Sequence, residues 1–192
     1  QEATDGIVIH NYGKIYGGPT GVEKQLVITI AGGTDANQGP KIYNYSGGEI
    51  KGWKWGVHAT GSDCVFDNAG TIEVVNLYAV ESDCAGTTLT NSGTIKNTTD
   101  GISDPIRFLD ATGVSTITNS GTIESAEDGA LNLSITDNAV VTNTGTITAD
   151  DEGALEASNH TNLTFTNSGT LTAADATLDL RNAYSPTQDN GS

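Results

Sequence analysis

One phrase, repeated along the chain, restricts the possible folds more than anything else in it. Phe66-Asp67-Asn68-Ala69-Gly70-Thr71-Ile72 is followed by Leu89-Thr90-Asn91-Ser92-Gly93-Thr94-Ile95 and Ile117-Thr118-Asn119-Ser120-Gly121-Thr122-Ile123. Val141-Thr142-Asn143-Thr144-Gly145-Thr146-Ile147 and Phe165-Thr166-Asn167-Ser168-Gly169-Thr170-Leu171 complete the clear copies, and looser versions surround Asn11 and Asn44. The asparagines Asn68, Asn91, Asn119, Asn143 and Asn167 recur every 23 to 28 residues, the period of a solenoid coil.

Each copy places an apolar residue two before the Asn and another four after it, on two short extended stretches either side of an Asn-x-Gly turn. With coils stacked about 4.8 Å apart, those apolar residues form continuous interior rows and the asparagines form a ladder at one corner. Asparagine and glycine are both expected there for their tolerance of left-handed backbone. A second strand follows an acidic corner at Asp100-Gly101-Ile102, Asp128-Gly129-Ala130-Leu131 and Glu152-Gly153-Ala154-Leu155. Between the first two lies a longer insertion through Pro105, Arg107 and Phe108, read as a surface bulge. The expected fold is all-β, a right-handed parallel β-helix (β-solenoid) of about seven coils. It is preferred to a β-sandwich, which needs hairpins. Residues 1–192 read as one domain, with an irregular segment at 17–39 and a polar tail at 184–192.

Composition agrees: 24 glycines, no methionine and only 35% hydrophobic residues suit a thin, elongated core better than a compact one. A net charge of −16 repels phosphate backbones and anionic lipid, so nucleic acid is not an expected partner. No apolar run approaches 18 residues, so no membrane insertion is expected. The opening at Gln1 suits a secreted protein that has lost its leader, although a start inside a longer chain reads the same. Cys64 and Cys84, both preceded by Ser-Asp, fit an oxidising compartment.

In these Asn-Ser-Gly-Thr-Ile units, over residues 63–172, the chain resembles the passenger regions of autotransporter-like adhesins and related bacterial surface β-helix proteins. The resemblance implies a β-helix on an extracellular or cell-surface protein. It carries no catalytic motif onto this chain, and such passengers include adhesins, scaffolds and some enzymes.

Five groups of residues are candidates for chemistry. Cys64 and Cys84 lie about one period apart and are read as a disulfide between stacked coils; the alternatives are a reactive thiol or a metal pair. Glu127, Asp128, Asp150, Asp151, Glu152 and Asp100 would stack as a column of carboxylates, giving a calcium site at Asp128, Asp151 and Glu152 or a plain hydrated edge. Trp53 and Trp55 alternate as on a strand, and either contact a glycan or fill a wide coil. Thr71, Thr94, Thr122, Thr146 and Thr170 fall in register, as on an ice-binding face or an ordinary solenoid wall. His10, His58 and His160 lie far apart in sequence, and Arg107 and Arg181 are the only arginines, which is little for a polysaccharide lyase. A glycoside hydrolase would need paired carboxylates whose spacing sequence does not give. Sequons at Asn44, Asn97, Asn132, Asn159, Asn162 and Asn190 are common in a chain of this composition.

Neither end of the sequence carries an amphipathic cap helix, so coil edges are expected to be open. The expected assembly interface comprises Ile7, Val8 and Ile9, then Leu26 and Ile28 in a strand of residues 25–31 read as a capping or exchanged segment, and Leu178 and Leu180. The expected function is a non-enzymatic structural or adhesive surface protein, its partner a further copy of itself in a head-to-tail fibre. The alternative is a glycan-binding or glycan-active β-helix, with surface glycans as partners.

Overall fold

A computed structural model describes residues 6–17, 26–33, 38–98, 103–109, 112–126, 128–133, 138–157, 162–175 and 177–180. The fold is a β-solenoid of parallel strands, with no helix among the described residues. The first rung is β1 (Val8–Asn11), β2 (Lys14–Tyr16) and β3 (Leu26–Ala31). The second is β4 (Lys41–Asn44), β5 (Glu49–Gly52) and the first half of β6 (Trp55–Asn68), which turns a corner and opens the third. Next come β7 (Thr71–Val74) and β8 (Val80–Asn91), which bends likewise into the fourth rung, followed by β9 (Thr94–Asn97) and β10 (Ile106–Phe108). The fifth rung is β11 (Val114–Asn119), β12 (Thr122–Ser125) and β13 (Leu131–Asn132). The sixth is β14 (Asn138–Asn143), β15 (Thr146–Ala149) and β16 (Leu155–Glu156). The last is β17 (Asn162–Asn167), β18 (Thr170–Ala173) and β19 (Leu178–Asp179).

The strands sort into three walls. The second wall is a 7-stranded sheet, β2-β5-β7-β9-β12-β15-β18, so five rungs have neighbours on both sides and two are terminal. The first and third walls merge into a 12-stranded sheet because β6 and β8 run continuously through the corner between them. That corner is sharp: Gly61, Asp63 and Gly86 have φ of 135°, 52° and 99°, which only the glycines adopt without strain.

Alternation along each strand turns every second side chain inward, and the parallel register stacks them in rows. Ile42, Phe66, Leu89, Ile117 and Val141 form the interior row of the first wall, and Ile50, Ile72, Ile95, Ile123 and Ile147 that of the second. In the third, Ile28, Val57, Val80, Ile106, Leu131 and Leu155 align. All are buried, each contributing about 1.5–3 kcal/mol, and β-branched residues fit the flat parallel rows.

The asparagine ladder runs through seven residues, Asn11 and Asn44 included. Each Nδ2 donates to the Oδ1 of the next rung's asparagine at 2.7–2.8 Å, always toward the C-terminal end, from Asn11 to Asn167. In the middle rungs the same amide also donates to its own turn's glycine carbonyl and to a threonine carbonyl of the next rung, as Asn119 does to Gly121 and Thr146. The expectation of left-handed backbone at these turns holds in the Asn44 turn, where Gly47 has φ of 82°, and is corrected for the later copies. Asp63 is the one non-glycine residue with positive φ among the described residues, and Gly70, Gly93, Gly121, Gly145 and Gly169 are not left-handed. The glycines are required by proximity instead: a Cβ on each would be driven into the carbonyl oxygen of the glycine one rung earlier.

Three further expectations are corrected. Of residues 25–31, read as a capping or exchanged segment, Leu26–Ala31 form β3, which pairs in parallel with β6 as the third wall of the first rung. The supposed bulge at Arg107 and Phe108 is β10, with Ile106 and Phe108 fully buried, because its alternation matches the third wall. Trp53 and Trp55 do not share a strand: β5 ends at Gly52 and β6 begins at Trp55, so the pair straddles a corner, both half-buried.

Cys64 and Cys84 are bonded and buried inside the coil, Cα atoms 5.9 Å apart. Cys64 opens the third rung and Cys84 closes it, on the neighbouring strands β6 and β8, but they do not stack: Cys64 is level with Thr87 and Cys84 with Gly61, so the bond crosses the bend diagonally. Closing a loop with a sequence separation of 20 stabilises the fold by about 3 kcal/mol through the unfolded chain. Replacing both cysteines by alanine should lower the free energy of unfolding by about that amount. Urea titrations of wild type and double variant read it; equal midpoints would contradict it.

Candidate functional site on the third wall

The outward row of the third wall collects the polar chemistry of the molecule. One residue after each apolar position of the third-wall row, His58, Glu81, Arg107, Asn132, Glu156 and Asp179 follow one another in register. Parallel in-register pairing makes sequence-distant groups neighbours, as the three scattered histidines did not suggest.

The upper part of the row is an ion-pair cluster. His58 Nε2 lies 3.2 Å from Asp83 Oδ2 and 3.9 Å from Glu81 Oε2, and Arg107 Nη1 lies 3.7 Å from Glu81 Oε1. Arg107 also donates to the Tyr78 hydroxyl at 2.6 Å and stands over its ring, 5.0 Å from the centroid. Glu81 is only 8% exposed. Burial raises its pKa above the ordinary carboxyl value, and Asp83 adds to the rise, while His58, Arg107 and the Trp55 indole oppose it. Such a set can bind a polar ligand through donors and acceptors on one face, with the Trp55 ring beside it.

The lower part is a carboxylate cluster at the corner where the second wall turns into the third. Oxygens of Asp104, Asp128 and Glu156, from the fourth, fifth and sixth rungs, lie within 4.8 Å of one another. Asp104 is 4% exposed, and its Oδ1, like Glu156 Oε1, is buried without a hydrogen-bond partner. Both oxygens converge over Gly129, where a Cβ would collide with them. Burial pushes Asp104 up to about 7, a hydrogen bond from Asn132 pulling the other way and the Asp128 charge reinforcing the rise. Burial and then the charge of Asp104 push Glu156 up to about 8, with Glu152 adding to it. Asp128 is raised by burial and by Glu152, against the Gly129 N–H.

Of the residues expected to bind calcium, the structure places Asp128 in this cluster; Glu152 and Asp151 are both exposed and outside it, Glu152 acting the more strongly of the two on Asp128. Asp100 and Glu127 lie outside the described residues. Asp104 and Glu156 lie outside the acidic-residue-Gly pairs that mark this corner in the sequence. Asp104 lies two residues before Ile106, Asp128 three before Leu131 and Glu156 one after Leu155, so no common offset along the chain marks the set.

Elsewhere, Thr71, Thr94, Thr122, Thr146 and Thr170 do stack in register on the second wall. His10 stacks on Tyr43, ring centroids 5.1 Å apart, and its Nδ1 lies 3.0 Å from the Tyr45 hydroxyl, while Tyr12 stacks on Tyr45 at 4.2 Å. Among the described residues, the aromatic rings most open to solvent are thus Tyr12 and Tyr16 rather than the tryptophans. His160 and Arg181 lie outside the described residues. Ile7, Val8, Leu26, Leu178 and Leu180 are exposed and Ile9 half-buried, but Ile28 is 7% exposed and is closed to a partner. No family model, curated protein or solved structure matches the chain.

Proposed function

We propose that this protein is a structural element of an extracellular surface, a non-enzymatic solenoid whose last rung mates with the first rung of another copy to build a head-to-tail fibre. The observation that carries this reading is the complementarity of the two terminal rungs. At one end Phe165 and Leu171, which continue the interior rows of the first and second walls, are only half-buried. At the other, Ile9 and Ile15 begin the same two rows and are equally half-buried.

The asparagine ladder adds direction. Asn167, exposed, donates from Nδ2 to Gly169 and has no asparagine beyond it among the described residues, while at the other end Asn11, 5% exposed, accepts from Gly13 at Oδ1, which has a second lone pair. Docking β17 against β1 of a second copy would continue the ladder in the same sense, a heterologous contact that propagates. The buried disulfide suits an oxidising compartment, in keeping with an extracellular site. Negative-stain electron microscopy across a concentration series should show fibres of one width, lengthening with concentration; short rods at every concentration would refute it.

A second reading is favoured by one arrangement, Trp55 beside the His58, Glu81 and Arg107 row: a glycan-binding third wall. Saturable quenching of tryptophan fluorescence by oligosaccharides, lost in Arg107→Ala, would support it, and no response across a glycan panel would remove it.

A further inference from the structure

We propose that Asp104, Asp128 and Glu156 form a binding site for one hard divalent cation, calcium by their chemistry, which ties three successive rungs together at the corner leading into the third wall. The donor set is all oxygen, with no imidazole or thiolate, which selects calcium or magnesium over zinc. Ligands from separate rungs give the larger, more adaptable cage that calcium accepts and magnesium, with its strict octahedron, does not.

Crowded acidic residues are common on a chain this acidic, so the argument rests on the individual oxygens. Asp104 is almost wholly buried, yet its Oδ1 has no hydrogen-bond donor and converges over Gly129 with Glu156 Oε1, which also has none. Buried carboxylate oxygens are normally satisfied, and two this close together call for a positive centre between them or a proton. The space they share exists because residue 129 is glycine: a side chain there would fill it. Asp104 is further fixed by Asn132, which stands between Arg107 and Glu156 in the outward row, so the site is braced by the wall itself. Glu152 adds a fourth carboxylate at its edge.

The inference does not depend on fibre formation, since all three ligands lie in internal rungs. Isothermal titration of the EDTA-stripped full chain with CaCl₂ at neutral pH should give one saturable site per chain. The unfolding temperature should rise by about 5 °C or more at saturation, with a weaker response to MgCl₂. Asp104→Asn and Glu156→Gln should each weaken calcium binding at least about tenfold, while Asp151→Asn should leave it unchanged. Glu156 is half-exposed, so its variant decides the matter even where Asp104→Asn does not fold. No saturable binding at millimolar calcium would overturn the site and assign the converging oxygens to a shared proton. Affinity unchanged in Glu156→Gln, or lost in Asp151→Asn, would equally overturn it, reducing the effect to ions gathered by the acidic surface.

Discussion

Gly121→Ala should destabilise the fold by about 3–5 kcal/mol, a large loss for one added methyl group. The new Cβ would meet the Gly93 carbonyl oxygen and the backbone of Ser92, none of which can rotate away. The fourth and fifth rungs would have to separate at this corner, weakening the Gly121 N–H bond to Asn91 O at 3.1 Å and the Thr122 N–H bond to Gly93 O at 2.8 Å. Gly13 occupies the same place in the first rung, and a Cβ there meets nothing within 4 Å. Gly13→Ala should therefore change the stability of the isolated chain by no more than about 0.5 kcal/mol. Chemical denaturation of the two variants reads the contrast directly. Equal losses would show that the glycines serve backbone conformation, and equal tolerance would show that the rungs are less closely stacked.

The second large effect concerns the ladder. Asn119→Ala should cost about 3–5 kcal/mol, because it removes the acceptor of Asn91 and the donor to Asn143 Oδ1, Gly121 O and Thr146 O in one buried step. Asn119→Asp should be worse at neutral pH, since a carboxylate keeps the acceptors and loses every donor. Buried among oxygens, that aspartate would have its pKa raised in the folded state above its unfolded value of about 3.9. Its deficit should then shrink as pH falls through the raised value, where the protonated acid regains one donor, and be full at higher pH. At the exposed end of the ladder, Asn167→Ala should cost about 1 kcal/mol or less. Thermal unfolding of the three variants at two pH values tests the series; a uniform cost along the ladder would contradict it.

The parallel solenoid was legible because Asn-x-Gly-Thr-Ile fixes both the period and the inward positions of two walls, from Phe66 and Ile72 to Phe165 and Leu171. The third wall was legible only in part. Its strands are as short as Leu131–Asn132 and carry no repeated phrase, so Arg107 and Phe108 read as a bulge and Leu26–Ala31 as a detached segment. What the sequence could not convey was spacing between rungs. The repeat glycines look like turn-formers by type, and only the 3.1 Å and 2.8 Å bonds linking successive corners reveal that they are spacers. The candidate site was obscured for the same reason: Asp104, Asp128 and Glu156 are separated by 24 and 28 residues along the chain, yet their oxygens come within 4.8 Å. Asp128 stood out by its acidic neighbours, whereas Asp104 beside Pro105 and Glu156 within a strand carry no local signal. The cysteines show the reverse case, their chemistry plain from Ser-Asp-Cys, their diagonal path hidden by the bend at Gly61 and Gly86.

The central claim, that copies join rung to rung through their ends, meets its most direct test in one methyl group. Docking the seventh rung on the first would bring the Gly169 carbonyl of one copy over Gly13 of the next, repeating the contact that Gly145 makes with Gly169 inside the chain. Sedimentation velocity of wild type and Gly13→Ala at matched concentrations compares them with the isolated fold unchanged. The account predicts polymers for the wild type and monomers for the variant, at equal unfolding temperature of the isolated chains. Polymers of equal size from both, or monomers from both, would contradict it.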